Sequence, residues 1–296
     1  MPIVKANGID IAYDEFGDRG APAILLIMGL GVQLTGWRET FCRRLADGGF
    51  RVVRFDNRDV GLSSHFDQAG IPDMAANFQK AVRGEPVDAA YTLAEMGDDA
   101  VGLLDALGIA KAHIVGVSMG GMIAQLVAAQ HADRVLSLIS IMSSSGRPGL
   151  PPGKPEAMMA LMAPAAGTDR DSVATQTMKA RRIIGSPGYP EDETLLRGMA
   201  EAAFDRSYHP QGMARQFMAI LDNGSRVALL EQISTPSLVI HGIDDPLVPV
   251  EAGKDTAATI PGCELILIPG MGHGLESGLE PIVADAILAH CRAAAA

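Results

Sequence analysis

Three residue types needed for nucleophilic catalysis occur in suitable settings in this sequence, and the serine is the most informative. Ser118 lies in the segment Gly116–Gly120, which has the pattern G-x-S-x-G. An apolar run ends just before Ser118, and a helical pattern over 119–129 begins just after it. A strand-to-helix turn of this kind exposes a serine hydroxyl, while glycines keep the neighbouring backbone clear. The alternative is a glycine-rich turn with a solvated serine, but the setting favours a nucleophile.

A serine hydroxyl becomes a good nucleophile only when a base takes its proton. His273 lies in the glycine-rich loop Pro269–Gly274, directly after the predicted strand Glu264–Ile268. Such a loop can present an imidazole over the serine. The other six histidines lie in predicted strands and helices or in segments without glycine support. We therefore predict that His273 is the base rather than a structural histidine.

The acid that orients the histidine should follow the preceding strand, because the order on this kind of sheet is Ser, Asp or Glu, then His. The segment His241–Pro249 holds two adjacent aspartates there, Asp244 and Asp245. Either carboxylate can fix the imidazole tautomer. Adjacent side chains point in different directions, so only one can do so, and the other is expected to serve a turn or a helix cap.

A tetrahedral intermediate also needs two N–H donors for its oxyanion. One should come from the residue after the nucleophile, here Met119. The other should come from the loop Met28–Gly31, where glycines allow the backbone to turn its amides inward and Leu30 is the natural donor. The alternative for this loop is a simple tight turn.

The elements that must position these residues alternate between short apolar runs and helical patterns. The predicted strands are Ile9–Phe16, Ala23–Met28, Arg51–Asp56, Ala112–Val117, Val135–Met142, Ser237–Gly242 and Glu264–Pro269. Helices are predicted at Glu39–Asp47, Thr92–Leu107, after Ser118, from Val250 and at the end of the chain to about Arg292. Apolar runs of this length are typical of strands buried on both faces, so the fold class is α/β, with a mostly parallel sheet covered by helices on both sides.

The alternation of strands and helices stops between 143 and 225. No strand-like run occurs there, and the segment contains seven of the 15 methionines. We interpret 143–225 as an inserted helical cap, with 1–142 and 226–296 forming the core domain. The methionines suggest an adaptable apolar pocket, although a methionine stripe is more often core packing. We assign Met158 and Met162 to that pocket, and Trp37, the single tryptophan, either to the pocket or to the core.

Composition excludes several function classes. The net charge of −11 argues against a nucleic-acid or anionic-membrane surface. The three cysteines are far apart and form no metal-ligand or disulfide pattern, which fits a reducing compartment. The N-terminal segment lacks the features of a signal peptide, and no apolar run reaches the ~20 residues of a membrane span. We expect a cytoplasmic protein, with monomer and homo-oligomer both open.

Taken together, these motifs resemble the serine α/β-hydrolases over nearly the whole chain. The Met28-Gly29 dipeptide stands where the family usually has His-Gly, and with Trp37 after it this resembles the bacterial subgroup that includes aclacinomycin methylesterase. The segment Asp56–Ser63 matches the structural D-x-R-x-x-G-x-S loop of the family. The resemblance implies an α/β-hydrolase fold but constrains the inserted segment least. We expect the reaction to need no cofactor or metal. The resemblance also maps the oxyanion donors to Leu30 and Met119, and the acid to Asp245 through the spacing G-x-x-D-x-x-x-P.

The sequence therefore predicts a carboxylic-ester hydrolase acting on small to medium apolar esters, with Ser118, His273 and Asp245 as its catalytic residues. Gly29 joins the predicted substrate pocket. A lactone or C–C bond hydrolase and a cofactor-free perhydrolase would use the same residues. A dehalogenase or epoxide hydrolase is disfavoured because it needs a carboxylate where Ser118 stands. A ligand receptor with weak turnover is the alternative from a different class, and rapid ester turnover would discriminate against it.

Overall fold

A computed structural model describes residues 1–294, and within them one sheet of eight strands forms the centre of the molecule. The strands are β1 Ile3–Ala6, β2 Ile9–Phe16, β3 Ala23–Ile27, β4 Arg51–Phe55, β5 Ala112–Val117, β6 Val135–Ile141, β7 Ser237–Gly242 and β8 Glu264–Ile268. Their order across the sheet is β1-β2-β4-β3-β5-β6-β7-β8. β1 pairs antiparallel with β2, and β2 pairs antiparallel with β4. The other six strands, β3 to β8, are all parallel to one another. The predicted α/β class is confirmed.

Eleven α-helices surround the sheet within the described residues. They are α1 Glu39–Asp47, α2 Met74–Val82, α3 Leu93–Ala106, α4 Met119–Gln130, α5 Pro155–Met162, α6 Arg170–Ile184, α7 Glu193–Arg206, α8 Pro210–Asn223, α9 Val227–Leu230, α10 Val250–Thr259 and α11 Glu280–Ala294. α3 begins at a capping box in which Thr92 and Glu95 satisfy each other's backbone N–H groups. None of these helices combines the length and apolar character needed to cross a bilayer.

The core consists of two apolar layers, one on each face of the sheet. In β3 the layers alternate residue by residue, with Leu25 in one and Leu26 in the other, because successive strand side chains point to opposite faces. One layer lies under α3 and α4, and the other lies under α1 and α11. Burial on both faces explains why these strands appear in the sequence as nearly continuous apolar runs.

Five helices, α5 to α9, lie between β6 and β7, and residues 143–225, which include the first four of them, contain no strand. The division into a core domain and a cap domain remains a prediction. Three of the named strands and helices were not predicted from the sequence: β1, α2 and the four-residue helix α9. β1 is a four-residue strand at the sheet edge, and α2 begins after Asp73, whose side chain accepts a hydrogen bond from the Ala76 N–H.

The parallel strands place four loops at the same edge of the sheet. The loops after β3, β5, β7 and β8 contain Leu30, Ser118, Asp245 and His273 in turn. Ligands of open α/β sheets bind outside the carboxyl ends of the strands, so this edge is where a site is expected.

Candidate active site

Ser118 occupies a strained turn between β5 and α4. Its φ is 54° and its ψ is −120°, a conformation that residues with side chains rarely adopt. The turn is possible only with glycine on both sides. A Cβ on Gly116 would lie 2.0 Å from the Gly120 carbonyl oxygen, and one on Gly120 would lie 2.2 Å from that of Ile27. The tight turn leaves the Ser118 side chain partly accessible.

His273 lies beside Ser118, with its Nε2 3.0 Å from the serine Oγ. The loop after β8 is anchored to α6, because the His273 N–H donates to the Ile184 carbonyl at 2.7 Å. Close contact with α6 also requires glycine next to the histidine, since a Cβ on Gly272 would lie 2.1 Å from the Gly185 carbonyl oxygen. The glycines that singled out this loop in the sequence therefore have a packing role.

Asp245 completes a chain of hydrogen bonds. Its Oδ2 lies 2.7 Å from His273 Nδ1, and its side chain is fully buried. The other carboxylate oxygen, Oδ1, accepts the N–H groups of Leu247 at 2.9 Å and Val248 at 2.8 Å. Because both oxygens are held, the carboxylate is fixed in a position that orients the imidazole, with Nδ1 as the protonated nitrogen and Nε2 free to accept a proton.

Asp244 has different surroundings. It is exposed, and its Oδ2 accepts the Gly270 N–H at 2.7 Å, which ties the loop after β7 to the loop after β8. Its carboxylate thus serves a turn, while that of Asp245 contacts His273. The residue types alone did not show which of the two aspartates orients the histidine.

A second buried histidine, His241, lies near the Asp245 carboxylate and was not singled out in the sequence. Its Nε2 donates to the Val248 carbonyl at 2.8 Å and lies 3.7 Å from Asp245 Oδ2. Burial lowers the pKa of His241, which keeps the ring neutral at pH 7. The spacing of four residues from Asp245 was the only sequence signal for it.

The loop after β3 approaches the nucleophile closely. A Cβ on Gly29 would lie 3.3 Å from Ser118 Cβ and 3.8 Å from its Oγ, so glycine permits this approach. The backbone N–H groups of Leu30 and Met119 donate no hydrogen bond to any acceptor within residues 1–294. One free donor therefore lies in the loop after β3, and the other lies at the first residue of α4, next to Ser118.

The other residues predicted to line the substrate pocket, Trp37, Met158 and Met162, show no contact with Ser118. Trp37 is only 1% exposed, stacks on Phe41 with ring centroids 5.3 Å apart, and belongs to the core layer under α1 and α11. The structure thus places Trp37 in the core, the alternative that the sequence left open, and corrects its assignment to the substrate pocket. Met158 is 39% exposed and Met162 is partly buried. No contact places either methionine at Ser118, and their pocket role remains a prediction.

One cluster has the residue types of a metal site. His65, Asp67 and His209 bring one ligand atom each within 4.8 Å of one another. The two imidazole rings stack in parallel, 3.8 Å apart with an interplanar angle of 4°, so their in-plane lone pairs cannot converge on one ion. The Arg215 guanidinium also lies 2.9 Å from His209 Nε2 and would repel a cation. This geometry does not suit a metal ion.

Comparison with known proteins agrees with the observed fold. Residues 22–275 match the family model described as alpha/beta hydrolase fold. The chain is 31% identical to rhodomycin D methylesterase DauP of Streptomyces sp. (strain C5), over 99% of this chain and 98% of that protein. It is 28% identical to a 2-hydroxy-6-oxononadienedioate/2-hydroxy-6-oxononatrienedioate hydrolase of Burkholderia vietnamiensis, over 89% of this chain and 84% of that one.

Among solved structures, the enol-lactonase of Burkholderia xenovorans LB400 superposes with a TM-score of 0.73 at 24% identity, covering 98% of this chain and 100% of that chain. This likeness shows the fold alone. The family match covers most of the sequence, and the full-length relatives are named methylesterases and hydrolases. The chain therefore belongs to the α/β-hydrolase family and is a hydrolytic enzyme.

Proposed function

We propose that the protein hydrolyses carboxylic esters through an acyl-enzyme intermediate on Ser118. The observation that carries this proposal is the chain of contacts from Ser118 Oγ to His273 Nε2 at 3.0 Å and from His273 Nδ1 to Asp245 at 2.7 Å. A nucleophile, a base and an orienting carboxylate in this arrangement are the requirements of acyl transfer. All three lie on loops at the carboxyl edge of one sheet.

The proposed reaction proceeds in two halves. His273 Nε2 takes the hydroxyl proton as Ser118 Oγ attacks the ester carbonyl carbon, and the carbonyl oxygen becomes an oxyanion. The free N–H groups of Leu30 and Met119 stabilise that charge, a contribution of ~10²–10³ in rate per donor in related chemistry. His273 then returns the proton to the departing alcohol. Water then attacks the acyl-enzyme as His273 takes its proton, and His273 passes that proton to Ser118 Oγ as the bond to the acyl group breaks and the acid leaves. Asp245 holds the ring and stabilises the imidazolium throughout.

We propose that residues 143–225 form a cap that sets substrate selectivity. Support comes from the contacts of α6 and the loop after it with the histidine loop. Ile184 holds His273, and the Gly188 N–H donates to the Gly270 carbonyl at 2.8 Å. The methionines of this segment, whose side chains adapt to apolar ligands, favour a small to medium apolar ester as substrate.

The names of the relatives favour ester cleavage over C–C cleavage. The two rhodomycin D methylesterases are 30–31% identical over 99% of this chain, whereas the C–C bond hydrolase relatives reach 26–28% over 89–91%. A methyl ester of a bulky acid is therefore the first substrate class to test. Lactones, carbamates and C–C bond substrates complete the panel.

The test combines that panel with a nucleophile variant. Wild-type protein should hydrolyse p-nitrophenyl esters and bulky methyl esters, and an organophosphate should label it at one site per chain. Ser118→Ala should abolish both, while its circular dichroism stays native. Ser143, which lies nearby with its hydroxyl donating to the Ser118 carbonyl at 2.8 Å, is the matched control, and Ser143→Ala should still be labelled. Labelling of a serine other than Ser118 would refute the proposal.

A further inference from the structure

The loop that carries the Leu30 donor is a short turn with a glycine on each side of Leu30. Gly29 to Val32 form a turn in which the Val32 N–H donates to the Gly29 carbonyl at 3.3 Å. Gly31, the third residue of the turn, has a φ of 67°, at the position where a type II turn needs glycine. Leu30 thus lies between two glycines, whose backbone dihedral angles are the least restricted. The Leu30 N–H belongs to the same peptide as the Gly29 carbonyl, which the hydrogen bond from Val32 restrains only weakly because 3.3 Å is long for an N–H···O contact. Contacts from outside the turn therefore help to hold the direction of the Leu30 N–H.

Gln216, on α8, contacts the middle of this turn. Its Oε1 accepts the Gly31 N–H at 2.8 Å, and its Nε2 donates to the Arg58 carbonyl at 2.8 Å. The side chain is fully buried. Because both ends of the amide are engaged, its orientation is fixed. Met213, on the same face of α8, lies against Gly31 as well, with its Cγ 3.0 Å from where a Cβ would stand.

Other side chains hold only the ends of the loop. Asn57 Nδ2 donates to the Met28 carbonyl at 2.9 Å, and Asp56 Oδ1 accepts the Leu34 N–H at 2.7 Å. Both come from the loop after β4. Gln216 contacts the peptide next to the donor, and it belongs to the segment between β6 and β7 rather than to the sheet and its adjoining loops.

We propose that Gln216 is a positioning residue, which holds the Leu30–Gly31 peptide so that the Leu30 N–H stays directed at the oxyanion formed on Ser118. This rests on the proposed ester hydrolysis. Gln216 touches no reacting atom and acts through the turn. The helix that carries it is part of the proposed cap, so the segment that covers the substrate would also align an oxyanion donor.

The test compares oxygen esters with thionoesters. Sulfur accepts hydrogen bonds weakly, so a thionoester, which develops its charge on sulfur, gains less from the Leu30 N–H. Gln216→Met, similar in shape but without the acceptor, should lower kcat for a p-nitrophenyl ester by ~10-fold or more, short of the ~10²–10³ for loss of a donor. KM should change little. The kcat for the matching thionoester should fall less, so the oxygen-to-sulfur ratio of kcat should drop.

Two further variants complete the design. Gln216→Glu keeps an acceptor for the Gly31 N–H and should keep a ratio near that of the wild type. Gln125 is the matched control, an equally buried glutamine on α4 that bonds Ser140 and Arg226 instead. Gln125→Met should leave the ratio unchanged, whatever its effect on stability. If Gln216→Met fails to fold, Gln216→Asn, whose shorter side chain cannot reach Gly31, takes its place with the same expectation.

Equal losses on the two ester types in the Gln216→Met variant would overturn the proposal, because they would indicate a structural role alone. Unchanged kcat on both would overturn it too. These results differ from failure of the proposed function, which would appear as wild-type protein without Ser118-dependent ester turnover.

Discussion

Asp244 and Asp245 are adjacent and chemically identical, so their surroundings alone distinguish them. The Asp245 carboxylate is buried and receives two backbone N–H groups as well as the His273 ring. Asp244 is exposed and receives one backbone N–H, that of Gly270. The family spacing selected Asp245, and the observed contact with His273 agrees with that choice.

Replacing each aspartate by asparagine separates the two roles. Asp245→Asn retains the shape but favours the wrong imidazole tautomer, so kcat for ester hydrolysis should fall by up to ~10⁴, as in the serine proteases. Asp244→Asn should change kcat little and lower the free energy of unfolding by about 1 kcal/mol or less. We would measure kcat at one pH after confirming native circular dichroism. If kcat falls strongly in Asp244→Asn and stays nearly normal in Asp245→Asn, the assignment is reversed.

At the scale of elements, seven of the eight strands were predicted to within one residue, and the partly buried β2 matches its predicted bounds as well as the fully buried strands do. Ala112–Val117 and Ser237–Gly242 match the observed strands at both ends, because continuous apolar runs between turn signals leave little ambiguity. β1 was missed because it is a four-residue edge strand with a mixed burial pattern. α2 was missed as well, although Asp73, which caps it, was a usable signal.

The residues of the candidate site also differ in how well the sequence predicted them. Ser118 and His273 could be predicted because local glycine patterns and chain order specify their loops. Gln216 and Ile184 could not, since each contacts a loop distant in sequence and lies in no recognisable motif. Trp37 was ambiguous because a large apolar side chain suits a pocket and a core equally well.

The proposed role of α5 in selectivity leads to a prediction at this scale. Ala157 of this helix packs in a small apolar cluster with Ile184 and Leu247, next to the loops that carry His273 and Asp245. Truncating Met158 and Met162 together to alanine should change the ranking of small and bulky esters, because both lie on one face of α5. Relative kcat/KM across the ester panel is the measurement.

Met159 provides the control for that experiment, since it lies on the same helix and is 66% exposed. Met159→Ala should leave the ranking unchanged. If the double variant loses the same factor on every ester, the methionines only support packing, and a pocket role is refuted.

At the scale of the whole molecule, the two apolar layers bury polar groups along with the core. His113 is the second residue of β5 and is 1% exposed, with its Nδ1 2.8 Å from Ser137 Oγ and its ring in a T-shaped contact with Phe50. Burial, with a smaller contribution from nearby His290, lowers its pKa from 6.5 to about 4. This histidine of the strand that leads to the nucleophile is therefore held neutral by the fold.

This shift makes the stability of the protein depend on pH. His113 has a lower pKa folded than unfolded, so between pH 6.5 and about 4 the unfolded chain holds more protons at this residue. The free energy of unfolding should therefore be fully retained above pH 6.5 and fall as the pH drops through this window, with His113 contributing about 3 kcal/mol of the loss. The His113→Gln variant should lack this pH-dependent contribution to the free energy of unfolding. Urea unfolding at several pH values from 7 to 4 should give a steeper decline for the wild type than for the variant. Parallel curves would show that His113 does not resist protonation in the folded protein.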